Sequence, residues 1–243
     1  MGMDYATVDY LLGSTFEWIA KSVLTIGRQN WWLSKREARK LGLSYRPTYS
    51  NATYSEPFWV QDLGCWEIAS VDLVSDESPT YLADLGKADS LSIATNDKEW
   101  DVICDFGTAE HVADQHAYWA NIANALKLGG QLFVVLPCDA QAGHGLYQFS
   151  PEFFFRMRGF DVERCGTYSY TPFGHYSKFH PLGRHQKAFK WPTYVFAELT
   201  RTYDEFALPV QGFTTVTHRT TPPWASKLVE LPGIRVLERI FRR

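Results

Sequence analysis

Two histidines in this chain sit where imidazole chemistry is easily arranged. His111 lies in an Ala-Glu-His-Val turn, and His144 stands between Gly143 and Gly145. At a helix start the positive end of the dipole favours neutral imidazole, which can act as a base. A glycine-flanked imidazole sits on backbone that can approach a ligand closely. Each also has a plainer reading: a capping or packing residue for His111, a solvated loop residue for His144. His116 falls on the apolar stripe of a helix and reads as a core residue. His175, His180 and His185 are spaced by five with no carboxylate beside them, which puts them on no common helical face. No metal site is expected there. A magnesium ion held by Asp105 and Glu110 would want a paired acid-amide motif that the sequence lacks. Cys65, Cys104, Cys138 and Cys165 are far apart and read as free, buried thiols.

The elements that must position these residues alternate. Short β-rich apolar runs at 22–27, 68–73, 80–84, 100–105 and 131–137 are each followed by a stretch that can be helical. One such stretch places Val112, His116, Trp119, Ala123 and Leu126 on one face and runs to Gly129-Gly130, a helix stop. Ser150-Pro151-Glu152 signals another helix by its cap, its proline and its carboxylate at the positive dipole end. Two further helices are expected at 34–41 and around 54–63. Strands at 160–165 and 193–199 follow with no crossover helix between them, so they are expected to pair antiparallel. The predicted fold is α/β: a three-layer sandwich around a mostly parallel seven-stranded sheet with its last strand antiparallel.

With 243 residues and 45% hydrophobic content, the chain reads as one domain over 1–243, with a core at about 20–201 and a C-terminal extension at 202–243. A net charge of -3 argues against nucleic acid as a partner, although aromatics and cations interleave between residues 146 and 191. No apolar run is long enough for a membrane span, and Asp4 and Asp9 stand where a signal peptide would carry cations, so the expected address is cytoplasmic. Charge is uneven along the chain: -12 over residues 51–115 and +4 over 143–201. Folded together, the two stretches can face each other across a cleft or form two solvated faces. Ile234, Leu237, Ile240 and Phe241 mark an amphipathic C-terminal helix, docked on the body or on a second subunit as a homodimer contact.

In an open parallel sheet, ligands bind outside the carboxyl ends of the strands where strand order reverses. The first four strands end near Gly27, Asp72, Asp84 and Asp105. The run WDVICDFGTAEHV followed by ANALKLGGQLFVVLP resembles the fourth strand, helix and fifth strand of class I S-adenosylmethionine-dependent methyltransferases acting on small molecules. GHGLYQFSPEFFFRM resembles a segment after the fifth strand in one branch of that family. The resemblance covers roughly residues 20–200 and implies the cofactor S-adenosylmethionine. It assigns Asp72 to the ribose hydroxyls, Asp84 to the adenine amino group, and Phe106 and Gly107 to the methionine end. A turn role remains open for Asp72, Asp84 and Gly107. The Gly-x-Gly-x-Gly turn usual after the first strand is reduced to Gly27, followed by Arg28, Gln29 and Asn30, and Asp72 stands 45 residues on.

The resemblance implies methyl transfer to a small-molecule acceptor, anionic or sugar-like, with His144 or His111 beside it and the segment from residue 143 to 191 closing the acceptor side. The altered glycine turn keeps a second reading open, a non-catalytic binding or regulatory domain of the same fold. A nicotinamide-dependent oxidoreductase is a third, but it needs the glycine-rich turn more strictly, because a pyrophosphate must lie against the backbone there.

Overall fold

The computed structural model describes residues 2–47, 53–171, 174–179 and 190–209, with 174–179 described in backbone only. The expected C-terminal helix at 231–243, the dimer contact it would make, and the side chains of His175, His180 and His185 lie outside this set.

The chain begins with β1 (Gly2–Met3) and α1 (Tyr5–Leu12), then β2 (Ser22–Ile26), β3 (Asn30–Trp31), α2 (Lys35–Lys40) and α3 (Glu56–Gln61). It continues with β4 (Glu67–Asp72), β5 (Tyr81–Leu82), α4 (Ser90–Thr95) and β6 (Trp100–Asp105). After a 3-10 turn at Ala109–His111 come α5 (Gln115–Ala125), β7 (Leu126–Asp139), α6 (Pro151–Arg156), β8 (Phe160–Thr171), β9 (Gly174–Phe179) and β10 (Thr193–Arg201). Local chemistry sets the helix starts. Asp4 accepts from Thr7 N at 2.8 Å, Asp114 accepts from Ala117 N at 2.9 Å, and Ser34 and Glu37 close a reciprocal capping box.

The main sheet has the order β5-β4-β2-β6-β7-β10-β8-β9. Its first five strands are parallel, β10 runs antiparallel to both β7 and β8, and β9 returns antiparallel on β8. The predicted α/β sandwich, with 160–165 and 193–199 paired antiparallel, is the fold observed. β9 adds an eighth strand at the edge, because the chain after β8 turns back within a few residues. A separate two-residue ladder joins β1 to β3 and ties the N-terminus to the loop after β2.

Alternation along the strands makes both faces of the sheet apolar. Leu24, Ile26, Ile103, Leu132, Val134 and Leu136 pack toward α4, α5 and α6. Val23, Val102, Cys104, Phe133 and Val135 pack toward α1, α2 and α3, with Trp18, Trp31 and Trp59 filling that side. Arg164 and Glu198 face each other across β8 and β10 with Nε to Oε2 at 2.5 Å. Ser14 Oγ donates to the same carboxylate at 2.6 Å and Arg164 Nη2 donates to Tyr10 O at 2.9 Å, which fixes α1 on the antiparallel half. All four cysteines are free, and burial pushes the Cys65 and Cys138 thiols up to about 12.

Three local expectations are corrected. α5 ends at Ala125, and Gly129 and Gly130 belong to β7. A Cβ on Gly130 would lie 2.8 Å from Lys127 O and 3.0 Å from Asp101 O, so glycine there serves close strand packing. Because α5 starts only at Gln115, His116 lies in its first turn and is exposed, not in the core. Phe149 and Phe154 are buried against Trp119 of α5, so these aromatics pack the helix layer and do not line a cleft. The described cations of the basic stretch are largely matched locally, Arg156 with Glu152 and Arg164 with Glu198, so no basic wall faces the acidic half among them. Among the described residues, no helix is long and apolar enough to cross a membrane.

Candidate functional site

Strand order reverses at β2, which has β4 on one side and β6 on the other. The carboxyl ends of these three strands bring Gly27, Asp72 and the turn after Asp105 together. Gly27 has φ +76°, and a Cβ there would meet Thr108 Oγ1 at 3.4 Å, Gln29 Nε2 at 3.4 Å and Asp72 Oδ2 at 4.0 Å. Thr108 Oγ1 donates to Ile26 O at 3.2 Å and joins the β2 and β6 ends. Asp72 receives Leu73 N on Oδ1 at 2.7 Å and leaves Oδ2 toward Gly27. Asp84 closes its own turn, receiving Gly86 N at 3.1 Å, and pairs with Lys87 at 3.2 Å.

Where a glycine-rich turn would leave open backbone, this chain has side chains. Gln29, 1% exposed, folds back so that Nε2 donates to Ile26 O at 2.7 Å and to Gly27 O at 3.2 Å. Arg28 donates from Nε to Glu56 Oε1 at 2.6 Å and from Nη1 to Glu77 O at 2.7 Å, with its guanidinium 3.8 Å from the Tyr54 ring centre. The segment between β2 and β4 thus supplies Tyr54 and Glu56, and the loop after β4 supplies Glu77, to hold this turn.

The turn after β6 is organised by Asp105, which is fully buried. Its two oxygens accept from Gly107 N at 3.1 Å, Thr108 N at 2.7 Å, Ala109 N at 3.1 Å and the Tyr118 hydroxyl at 2.7 Å. Burial raises its pKa and these donors oppose that rise. Gly107 takes φ +105°, as the tight turn requires. Phe106 points away, 4% exposed in the core of the α1 face, so only its backbone borders the cleft.

Three residues later the same turn carries Glu110 and His111. The loop after β7 comes back to meet them: Leu146 N donates to Glu110 O at 2.7 Å, and Tyr147 OH donates to Ala113 O at 2.8 Å. Gly145 permits this approach, since a Cβ would lie 2.9 Å from Glu110 Cγ and 3.0 Å from Glu110 O. His144 N donates to Gln141 O at 3.0 Å, which closes a turn at the exposed Gly-His-Gly loop. His111 and His144 therefore face each other, with ring centres 5.8 Å apart. Glu110 Oε1 lies 3.8 Å from His111 Nε2 and 3.6 Å from His144 Nε2. The donor atoms of all three fall within 4.8 Å of one another, close enough for one ion to be held between them.

Glu110 is buried while both imidazoles are about half exposed. Burial and the Asp105 charge push its carboxyl pKa up to about 8. Burial and the neighbouring His144 lower the pKa of His111. Beyond them, Tyr194 stacks on Tyr168 at 5.4 Å, and the Tyr170 hydroxyl donates to Asp4 at the start of α1.

The sequence reading weighed His111 and His144 one at a time, expected no metal, and left Glu110 outside the site residues. The structure brings the two histidines together and puts Glu110 between them. A carboxylate beside His111, together with a glycine next to His144 small enough to approach it, was the only available signal. Among the cofactor-side residues, Gly27, Asp72 and Gly107 share one edge; Asp84 is engaged in its own turn.

No family model matches the sequence, and no curated protein matches it either. Among solved structures, the chain is similar to a protein of Bacillus halodurans ascribed to the methyltransferases, at 11% identity over 83% of this chain and 100% of that one, with a TM-score of 0.43. It is also similar to a TehB-like S-adenosylmethionine-dependent methyltransferase of Corynebacterium glutamicum, at 14% identity over 80% and 86% of the two chains, TM-score 0.40. A third is an S-adenosylmethionine-dependent methyltransferase of Mesorhizobium loti, at 11% identity over 82% and 98%, TM-score 0.38. The fold assignment rests on the strand order itself.

Proposed function

We propose that this chain transfers a methyl group from S-adenosylmethionine to a small acceptor. The observation that carries the reading is the meeting of Gly27, Asp72 and Thr108 at the carboxyl edge of the sheet where strand order reverses, with the His111 and His144 pair farther along the same edge. Asp72 offers carboxylate lone pairs to a ribose diol. Backbone at Gly107 borders the methionine end. The acceptor then lies toward His144 and His111, in front of the sulfonium methyl group.

Methyl transfer is an in-line displacement. The acceptor's oxygen or nitrogen forms a bond to the methyl carbon as the carbon–sulfur bond breaks, and sulfur leaves as a neutral thioether. The protein must align the two partners and take the acceptor's proton. Burial and the neighbouring His144 favour the neutral form of His111, which can accept it, and His144 lies beside it.

Gln29 and Arg28 favour one other reading, a binding domain of the same fold that makes no use of the cofactor, because their side chains occupy the turn that glycines usually leave open. Calorimetry with S-adenosylmethionine and S-adenosylhomocysteine separates the two. On the first reading S-adenosylhomocysteine binds, and Asp72→Ala weakens it by about 1.5–3 kcal/mol. No heat of binding at millimolar ligand would move the chain to the second reading.

A further inference from the structure

Glu110 is the one carboxylate of the site whose surroundings do not account for it. Its side chain is 1% exposed, and neither oxygen has a hydrogen-bond partner among the described residues. Asp105, at the other end of the same short turn, collects four donors. Buried carboxylates are costly unless they are hydrogen-bonded, paired or bound to a cation. The Nε2 atoms of His144 and His111 lie 3.6 Å and 3.8 Å from Oε1, both too far for a hydrogen bond and neither bearing a fixed charge.

These separations suit an ion placed between the three atoms. A first-row divalent ion binds imidazole nitrogen and carboxylate oxygen at about 2.0–2.2 Å, which sets its ligands about 2.8–3.6 Å apart at octahedral or tetrahedral angles. Closing from 3.6 and 3.8 Å takes a few tenths of an ångström, and the remaining pair, within 4.8 Å, closes by rotating half-exposed rings. The backbones beneath are fixed: Asp105 holds Thr108 N and Ala109 N, and Leu146 N and Gly145 pin the second loop on Glu110. One buried carboxylate and two imidazoles leave the remaining coordination positions on the exposed side, the pattern of an open site and not of a closed structural one.

We infer that Glu110, His111 and His144 bind a divalent first-row transition ion through the Glu110 carboxylate and the two Nε2 atoms. Imidazole ligands select zinc, cobalt, nickel or iron over magnesium and calcium, which prefer oxygen throughout. Glu110 lies near buried Asp105, so a cation between the three ligands offsets carboxylate charge that has little access to solvent. The inference does not depend on methyl transfer. Where it holds, both imidazoles act as ligands, and the proton acceptor beside the cleft is no longer a free histidine.

The test uses the full chain without a polyhistidine tag, stripped with chelator and titrated with Co²⁺ and Zn²⁺ by calorimetry and visible absorption. One ion per chain should bind, with cobalt absorption of a nitrogen-ligated centre. Glu110→Gln and His144→Ala should each weaken Zn²⁺ by about 100-fold or more, since even outer-sphere partners of a metal site are worth 10–100-fold. His116→Ala, an exposed imidazole on α5, should bind as the parent does. If circular dichroism shows His144→Ala unfolded, Glu110→Gln decides alone, since it keeps the volume and loses no hydrogen bond. Failure of either ion to bind, or binding that persists in Glu110→Gln, would overturn the inference, the latter by pointing to other histidines. S-adenosylhomocysteine titrated into the same stripped protein reports separately on the methyl-transfer reading.

Discussion

The two ends of strand β6 treat their carboxylates in opposite ways. At the amino end, Asp101 accepts from Ser22 N at 2.9 Å and Ser22 Oγ at 2.8 Å and pairs with Lys127 at 2.9 Å. Burial works against its charge, but Lys127 and the Ser22 donors win and hold the pKa below the usual carboxylate range. At the carboxyl end, donors are concentrated on Asp105 while Glu110, a few residues on, has none. One edge of the sheet is chemically closed and joins β2, β6 and the start of β7. The other holds a carboxylate in a form that folding alone does not favour, which is where an α/β sheet keeps its binding chemistry.

Four substitutions sharpen or break that contrast. His144→Ala should have the largest effect, lowering turnover by about 10²- to 10⁴-fold with S-adenosylhomocysteine affinity nearly unchanged, as steady-state kinetics and calorimetry would show. A rise in the Michaelis constant with turnover intact would leave His144 only a positioning role.

Glu110→Gln comes next. In metal-free protein, burial and the Asp105 charge raise the folded pKa of Glu110 from the ordinary 4.5 to about 8. Below the lower value both folded and unfolded chains hold the proton, and between the two only the folded chain does. Stability contributed by this group is therefore present at low pH and lost as pH rises through the folded value. Denaturant titrations at pH 5 and pH 9 should show Glu110→Gln gaining on the parent by roughly 2–4 kcal/mol across that range. Parallel curves for the two proteins would mean that Glu110 is ionised and satisfied in the fold.

Gly145→Ala should cost about 1–3 kcal/mol, because its Cβ meets the Glu110 backbone and the loop must lift. The same variant should weaken zinc, and an unchanged melting temperature would show that the loop is not clamped there. Asp101→Asn is the smallest, about 1 kcal/mol near neutrality. Its sign is the reverse of Glu110: a lowered folded pKa gives stability present above the unfolded value of about 3.8 and lost as pH falls through the folded one. The penalty should therefore shrink in acid denaturation experiments below pH 4.

The alternation of elements was legible in the sequence because the long central strands carry their own apolar runs, and α1, α2 and α5 their own side-chain caps; 22–27 and 100–105 became β2 and β6 almost unchanged. The spatial order of the strands was not legible there, since periodicity says nothing about neighbours. Misreadings arose where a residue serves a distant contact. Gly130 looked like a helix stop and is a close-packing glycine against Asp101. His116 looked buried because the apolar stripe was started three residues too early. Glu110 reads from sequence only as a weak magnesium partner of Asp105, because what makes it unusual is a loop that arrives from residues 141–147, beyond the whole of α5 and β7.

The position of β10 bears on how the chain is made. β8 joins the sheet only through β10, which is inserted between β7 and β8 and is the last described strand in the chain. About 60 residues separate the end of β7 from the end of β10, some 3–12 s of synthesis at typical ribosome speeds. Throughout that interval β7 presents an open edge lined with Phe133, Val134, Val135 and Leu136. The nascent chain therefore carries an apolar strand edge uncovered until Arg201 is free to pair, and the antiparallel half closes from the middle outward.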